Sequence, residues 1–455
     1  MSSLVTLALT GAAAATSVVP AHAVTVPCDT AALITAITNA NANIDTVIDL
    51  EPYCLYEVSV ANVTDTGLPP ITNNAGVTIN GNNATIKRVG TDSFRLFEVG
   101  TSAAVPGNLT LNDLTVMNGQ PSNVIGGGNV LVRENSTFAG TNVALQGATA
   151  NIGGGIRFRT STTGTLTDSR ISDNRTTGGA SAGGGLYSDG QVTLTNTDFT
   201  SNRARIGGGI GHNVGTLTIN GGSIKHNTAF DNGGGIASDG NGTLNMTGTT
   251  VTDNRVTTGG LGSGNGGGVY IGFNGTRTIT DSVIEGNTVT VQSADDGGGG
   301  IFMGGGTLTL DNTKVKGNKL IGEAGHGAGI DARGGTLNVL NASDVTDNLA
   351  AGRYSLGGGI YTASLINTPT VNVNGSAIDR NKVSGTGSRG GGIYNASGTY
   401  DLTDASVQFN VAPDAPAPGG IWTSTAITSV TGTTIANNTP TNCLYSLAPV
   451  TSCVG

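Results

Sequence analysis

The chain has 455 residues, of which 75 are glycine, with 11% charged, 4% aromatic and a formal net charge of -9. Neither a helical bundle nor a disordered tail has this make-up, which reads as β structure joined by many tight turns. The lysines and arginines are scattered within an acidic total, so nucleic acid is not an expected partner, although local basic stripes leave room for anionic polymers.

In chain order, residues 4–19 are apolar and small, and Ala21-His22-Ala23 has the small-x-small form of a signal-peptide cleavage site. Residues 1–23 therefore read as a signal peptide and the protein as secreted and extracellular, although no Lys or Arg precedes Lys87. No later stretch reaches the ~18 unbroken apolar residues of a membrane span. The four cysteines stand as Cys28 and Cys54 near one end and Cys443 and Cys453 near the other. Three pairings are possible on paper; a long solenoid keeps its ends apart and favours the two local bridges, which imply an oxidising compartment. Residues 24–60 form an expected N-terminal cap, in which Asp29 to Asn39 carries Leu33, Ile34 and Ile37 at helical spacing behind an Asp or Thr cap.

Residues 61–440 are dominated by a repeat. Eleven small-residue triplets, usually Gly-Gly-Gly, lie between Gly126 and Trp422. From the second copy on, each is followed by an apolar residue: Ile156, Leu186, Ile210, Ile236, Val269, Ile301, Ile330, Ile360, Ile393 and Ile421. A second beat, apolar-x-x-Asn, places Asn174, Asn202, Asn227, Asn254, Asn287, Asn318, Asn348, Asn381, Asn410 and Asn438. Such a period means stacked units that bury their apolar faces on one another. Between the beats, alternation such as Leu217 and Ile219 among threonines reads as short strands with one face buried. Three short strands per coil around a narrow core give an all-β, right-handed parallel β-helix with an N-terminal capping helix, and residues 441–455 an expected disulfide-closed C-terminal cap. The asparagines are expected to form an amide ladder from coil to coil.

The pairing of Gly-Gly-Gly-Ile with apolar-x-x-Asn over residues 110–440 resembles the Gly-Gly-Ala-Ile and Phe-x-x-Asn repeats of the chlamydial polymorphic outer-membrane proteins, and exported bacterial β-helix repeat proteins more broadly. The resemblance implies a β-helical surface adhesin. This chain departs from that pattern in its Gly-Gly-Gly triplets, in Ile or Val at most Phe positions, and in the lack of a barrel segment after residue 440.

In a β-helix, function is read down columns of equivalent residues. The first column directly follows the post-triplet apolar residue and holds Tyr187, Tyr270, Phe302, Tyr361, Tyr394 and Trp422, interrupted by Arg157, Gly211, Ala237 and Asp331. Facing outward by alternation, these rings could stack on sugar faces, or on each other beneath loops. A second candidate lies in the loops before the triplets, where successive coils offer Asp295 and Asp296, Glu323 and His326, Arg353 and Tyr354, then Arg389, with Asp331 and Arg333 in the coil of His326. Carboxylates one coil apart could serve as acid and base on a glycosidic bond, or an Arg could take a proton beside a uronate carboxylate. Catalytic candidates are therefore Asp295, Asp296, Glu323, His326, Asp331, Arg333 and Arg353. A third column is rich in threonine, from Thr163 and Thr216 to Thr370 and Thr399. It resembles the ice-binding faces of some solenoid antifreeze proteins, but threonine is also a favoured exposed strand residue. No metal or cofactor is expected: His212 and His226 lack a third ligand, and no Gly-Lys-Ser/Thr accompanies the glycines. The leading expectation is a binding or adhesion protein presenting the aromatic column to a polysaccharide or a cell surface. Its alternatives are a polysaccharide lyase or glycoside hydrolase working from the loop face, and a structural surface protein.

Overall fold

The computed structural model describes residues 23–454 apart from 180, 258–263, 273, 294, 414–416 and 428. The segment read as a signal peptide lies outside the described residues except for Ala23, which opens the strand Ala23–Val26.

One coil shows how sequence becomes structure. After the triplet Gly233 to Gly235 come Ile236–Ser238, Thr243–Thr247, Thr250–Thr252 and Arg255–Thr257. Each strand pairs in parallel with its equivalents in the coils on either side, so that Ile236 lies between Ile210 and Val269. Repetition builds three main sheets. A long sheet of 23 strands carries the middle of each coil, a triplet sheet of 12 strands runs from Phe97–Val99 to Ile421–Thr423, and a ladder sheet of nine follows the Asn beat.

The three expected faces are present, but the middle one is bent. Its strands are divided at a corner where Asp168, Asn196, Gly221, Gly248, Asp281, Asn312, Asn341, Gly375 and Asp404 all have φ between +47° and +71°. Asn, Asp and Gly are the residues that visit this left-handed region most readily. The first glycine of the triplet is likewise left-handed, at +60° to +67° from Gly153 to Gly390. The second is demanded by contact: a Cβ on Gly234 would collide with the carbonyl oxygen of Gly267 in the next coil.

Inside, Ile210, Ile236, Ile301, Ile330 and Ile360 are fully buried, as are Leu217, Ile224, Leu244 and Met246 from the other faces. Each such side chain contributes on the order of 1.5–3 kcal/mol by leaving water. The asparagines form the expected ladder. Asn254 donates through Nδ2 to Asn287 Oδ1 at 3.0 Å and to Ile224 O at 2.8 Å, while its backbone N–H donates to the same Oδ1 at 2.9 Å. The pattern continues to Asn438, whose amide passes to Asn442.

At the N-terminal end the helix Thr30–Asn41 is capped by Asp29, whose side chain accepts from Ala31 N, and buries Leu33, Ala36, Ile37 and Ala40 over the first strands. Ile34 is only half-buried, because alanine supplies two of the inward positions. The disulfides join Cys28 to Cys54 and Cys443 to Cys453. No helix among the described residues is long and apolar enough to cross a membrane.

Candidate functional site

The aromatic column points away from the core, on the outer face of the triplet sheet. It is not an open platform. Tyr270, Phe302, Tyr361 and Trp422 are only 4–8% exposed, and Tyr187 and Tyr394 are half-buried. The rings cover one another: Tyr270 stacks on Phe302 at 5.4 Å, Tyr361 on Tyr394 at 5.5 Å, and Tyr394 on Trp422 at 4.2 Å between centroids. Since coils are about 4.8 Å apart, a ring in every coil necessarily presents its face to the next ring, leaving edges to solvent. The rings point outward as alternation requires, and of the two uses open to them the structure has the stacking on each other.

Two apparent interruptions belong to the stack. Asp331 occupies the position between Phe302 and Tyr361, and Arg333, two residues on, fills the missing ring's place. Its guanidinium lies 5.9 Å from the Phe302 centroid and 5.3 Å from that of Tyr361. His326 completes the layer, stacking on Tyr361 at 4.4 Å. At the other end of the column Arg157 lies over Tyr187 at 5.6 Å. Arg389, from the loop before a triplet, lies over Trp422 at 5.7 Å.

Three of the seven catalytic candidates thus meet in one layer. Arg333 Nε donates to Asp331 Oδ1 at 3.0 Å, Nη2 donates to Oδ2 at 3.0 Å, and Nη2 also lies 2.9 Å from His326 Nδ1. A guanidinium has no lone pair to offer, so His326 Nδ1 accepts and the imidazole proton sits on Nε2. Burial, then the Arg333 charge, holds His326 down at about 3. Burial pushes Asp331 up to about 6 against the pull of Arg333. Burial works against the charge of Arg333, but Asp331 more than offsets it and keeps the guanidinium above its ordinary value. Burial also lifts Tyr361 to about 12. Chemically the layer is self-satisfied: the carboxylate is taken by the guanidinium, and the histidine has given its lone pair to the same group.

The remaining candidates are dispersed. Asp296 is fully buried and accepts from the backbone N–H groups of Gly264, Gln292 and Ser293, so it organises its loop. Asp295 is exposed and reaches Arg333 at 3.9 Å. Glu323 and Arg353 are exposed on loops of successive coils.

Those loops are themselves regular. Ala324 N donates to Arg353 O at 2.7 Å, and Tyr354 N donates to Thr386 O at 3.0 Å, which ties loops 322–326, 352–356 and 385–389 into a column beside the stack. Within it Tyr354 has φ +58°, the conformation taken by Ala324 and Gly387 at equivalent positions. A bulky aromatic held there costs on the order of 1 kcal/mol. The residue is 51% exposed and its ring packs against Gly387, where a Cβ would meet Tyr354 Cδ1 at 2.6 Å. Arg353 Nη2 donates to the Tyr354 hydroxyl at 3.2 Å and its guanidinium lies 5.2 Å from the ring centroid. Tyr354 stands outside the repeat's aromatic column, so column reading passes over it; the signal available in the sequence was an aromatic where neighbouring coils carry Ala and Gly.

The Thr-rich column is on the outer face of the long sheet, in continuous register from Thr216 through Thr243, Thr276 and Thr307 to Thr336. Among the described residues no group of three or more His, Cys, Asp or Glu is placed to hold a metal ion.

A family model described as a right-handed beta helix region matches residues 99–265. No curated protein matches the chain by sequence. Among solved structures the chain is similar to the A-module of the Azotobacter vinelandii mannuronan C-5 epimerase AlgE6. That alignment has 13% identity and a TM-score of 0.35, and covers 92% of this chain and 94% of that one. It is also similar to PfbA, a surface adhesin of Streptococcus pneumoniae, with 10% identity, a TM-score of 0.28, and 82% and 88% covered. At these scores neither likeness bears on function. The matched region and the parallel coils on both sides of it make the chain an all-β, right-handed parallel β-helix.

Proposed function

We propose that the protein is an extracellular binding or adhesion protein that holds a polysaccharide or another surface polymer at its loop edge, with the aromatic stack as the spine that keeps this edge straight. The observation that carries the reading is Tyr354: a half-exposed side chain, kept in an unfavourable backbone conformation, with its ring against the adjacent loop and flanked by Arg353. An exposed aromatic face beside hydrogen-bonding groups suits the apolar face and hydroxyl rim of a sugar. Exposed Glu323 and Arg389 lie on the same loop column and can contribute polar contacts. The two disulfides and the chlamydial-type repeat support a location outside the cell.

Catalysis is the weaker reading because the carboxylates and the base do not converge with free valences. Asp331 and His326 are consumed by Arg333, and Asp296 by its loop. The test is retention of the purified chain on insoluble polysaccharides, assayed together with the appearance of reducing ends or of unsaturated uronates. Retention without products, reduced about tenfold in Tyr354→Ala, is the expected result, since stacking of one ring is worth on the order of 1–1.5 kcal/mol. Product formation abolished by Asp331→Asn or His326→Gln would replace binding with catalysis. Retention unchanged in Tyr354→Ala and Arg353→Ala would remove the loop edge from the account.

A further inference from the structure

The residue immediately after each ladder asparagine opens a strand of the ladder sheet, and these residues form one register column. It runs Arg175, Arg203, Thr228, Arg255, Thr288, Lys319, Leu349, Lys382. Its five cations are all exposed. They differ from Arg95, Arg133, Arg157, Arg159, Arg205, Lys314, Lys316, Arg333 and Arg380, each of which has a carboxylate partner. Among the described residues, none of the five forms an ion pair. Arg175 donates to Thr149 Oγ1, Arg255 donates to Thr290 Oγ1, and Arg203 lies over the Phe230 ring at 4.5 Å. The one carboxylate on the described ladder-sheet strands, Asp231, is paired with Arg205. Asp173 and Asp253 sit on the adjoining corner and make no ion pair with the column.

From Arg203 onward a cation recurs at every second coil, which is a spacing of about 10 Å, and the whole column from Arg175 to Lys382 extends over about 34 Å. A straight row of exposed cations that make no ion pair contributes nothing to stability through salt bridges. We infer that this face of the ladder sheet is a binding surface for an extended acidic polysaccharide lying along the solenoid axis, its carboxylates meeting Arg175, Arg203, Arg255, Lys319 and Lys382. The low linear charge density selects the ligand class. Duplex DNA carries a charge about every 1.7 Å and would leave most phosphates unpaired against an acidic body. A uronate polymer with one carboxylate per sugar or per pair of sugars is a closer match. Guanidinium groups, such as that of Arg203 held over Phe230, are suited to carboxylates in forked hydrogen bonds. The column stands on the strands that lead into the loop edge, and the inference does not depend on Tyr354.

The test is affinity electrophoresis of the full chain in gels containing polygalacturonate, hyaluronate or neutral dextran, at rising sodium chloride. Uronate polymers are expected to retard the protein at low salt, with retardation lost as salt rises, and dextran to leave it unchanged. Arg203→Ala/Arg255→Ala/Lys319→Ala should weaken binding by about tenfold or more, three exposed contacts being lost. Lys225→Ala, on the long sheet, should not. Thermal unfolding of the triple variant, expected unchanged, separates lost binding from lost structure. No retardation by either uronate polymer, equal retardation of the triple variant, or tighter binding to single-stranded DNA than to the uronates would each overturn the inference.

Discussion

A single ladder asparagine satisfies three neighbours at once. Asn318 Oδ1 accepts from the backbone N–H and from Nδ2 of Asn287, and its own Nδ2 donates to Ile284 O and Asn348 Oδ1. Alanine would leave these buried groups without partners, each costing about 1–3 kcal/mol. Asn318→Ala is therefore expected to lose on the order of 3 kcal/mol, read as a lower denaturant midpoint. The histidines provide a second prediction at this scale, in pH. Burial, then the Arg277 charge, holds His212 down at about 4, as burial and Arg333 hold His326 at about 3. Unfolded, both titrate near 6.5, so the unfolded chain takes up protons first as the pH falls. Their contribution is complete above about pH 6.5 and is lost on acidification toward the folded values. Asp331, raised to about 6, has the opposite sign: its contribution is present at low pH and lost as the pH rises through about 6. Two groups outweigh one, so the melting temperature should fall between pH 7 and 4.5. His212→Gln, which does not titrate, should have a visibly shallower fall; an identical slope would show that His212 is not held neutral.

At the level of the element, the triplet and the corner use glycine for different reasons, and substitution separates them. Gly234 has no positive φ, but a Cβ would strike the next coil's backbone, so Gly234→Ala must push two coils apart and should lower stability severely. Gly248 has φ +62° and open space around its Cβ position, in a column where Asn or Asp stands in six of the nine coils named. Gly248→Asn should therefore change the melting temperature by no more than a degree or two, an effect of a few tenths of a kcal/mol. The triplet was legible in the sequence because each coil repeats it, as were the amide ladder and the buried Ile after each triplet; the corner, which falls inside what alternation reads as a straight strand region, was not. Which of its two readings the aromatic column follows, open to a ligand or stacked on itself, was not legible either. Exposure there depends on spacing between coils and on loops of unequal length, and a single coil contains neither. The Asp331 interruption was misleading for the same reason: the group that fills the gap is Arg333, whose side chain crosses back over its own strand. The site at Tyr354 and the basic column were readable only in part, the first as a loop residue, the second as the residue after every Asn, a position the apolar-x-x-Asn beat leaves out.

For the whole molecule, the consequence of stacking is that each coil is held mainly by its two neighbours, so stability varies along the axis. Central coils have both, and they add the continuous ladder and stack. The last strands, Ser429–Thr431 and Thr434–Ala436, have a partner strand on one side only and are half-buried or exposed. Beyond them the Cys443–Cys453 loop carries exposed Leu444, Tyr445 and Leu447, while Leu447 N and Ala448 N donate to Thr423 O. The loop therefore closes the edge of Ile421–Thr423 through backbone bonds more than through apolar burial. Removing the bridge with Cys443→Ser/Cys453→Ser frees that closure and should raise amide exchange in residues 421–439 while leaving residues 207–320 as protected as before, measured by hydrogen exchange and mass spectrometry. A chain that unfolds as one cooperative body would instead show the same loss of protection in its central coils as at its end, and the picture of stability passed from coil to coil would fail.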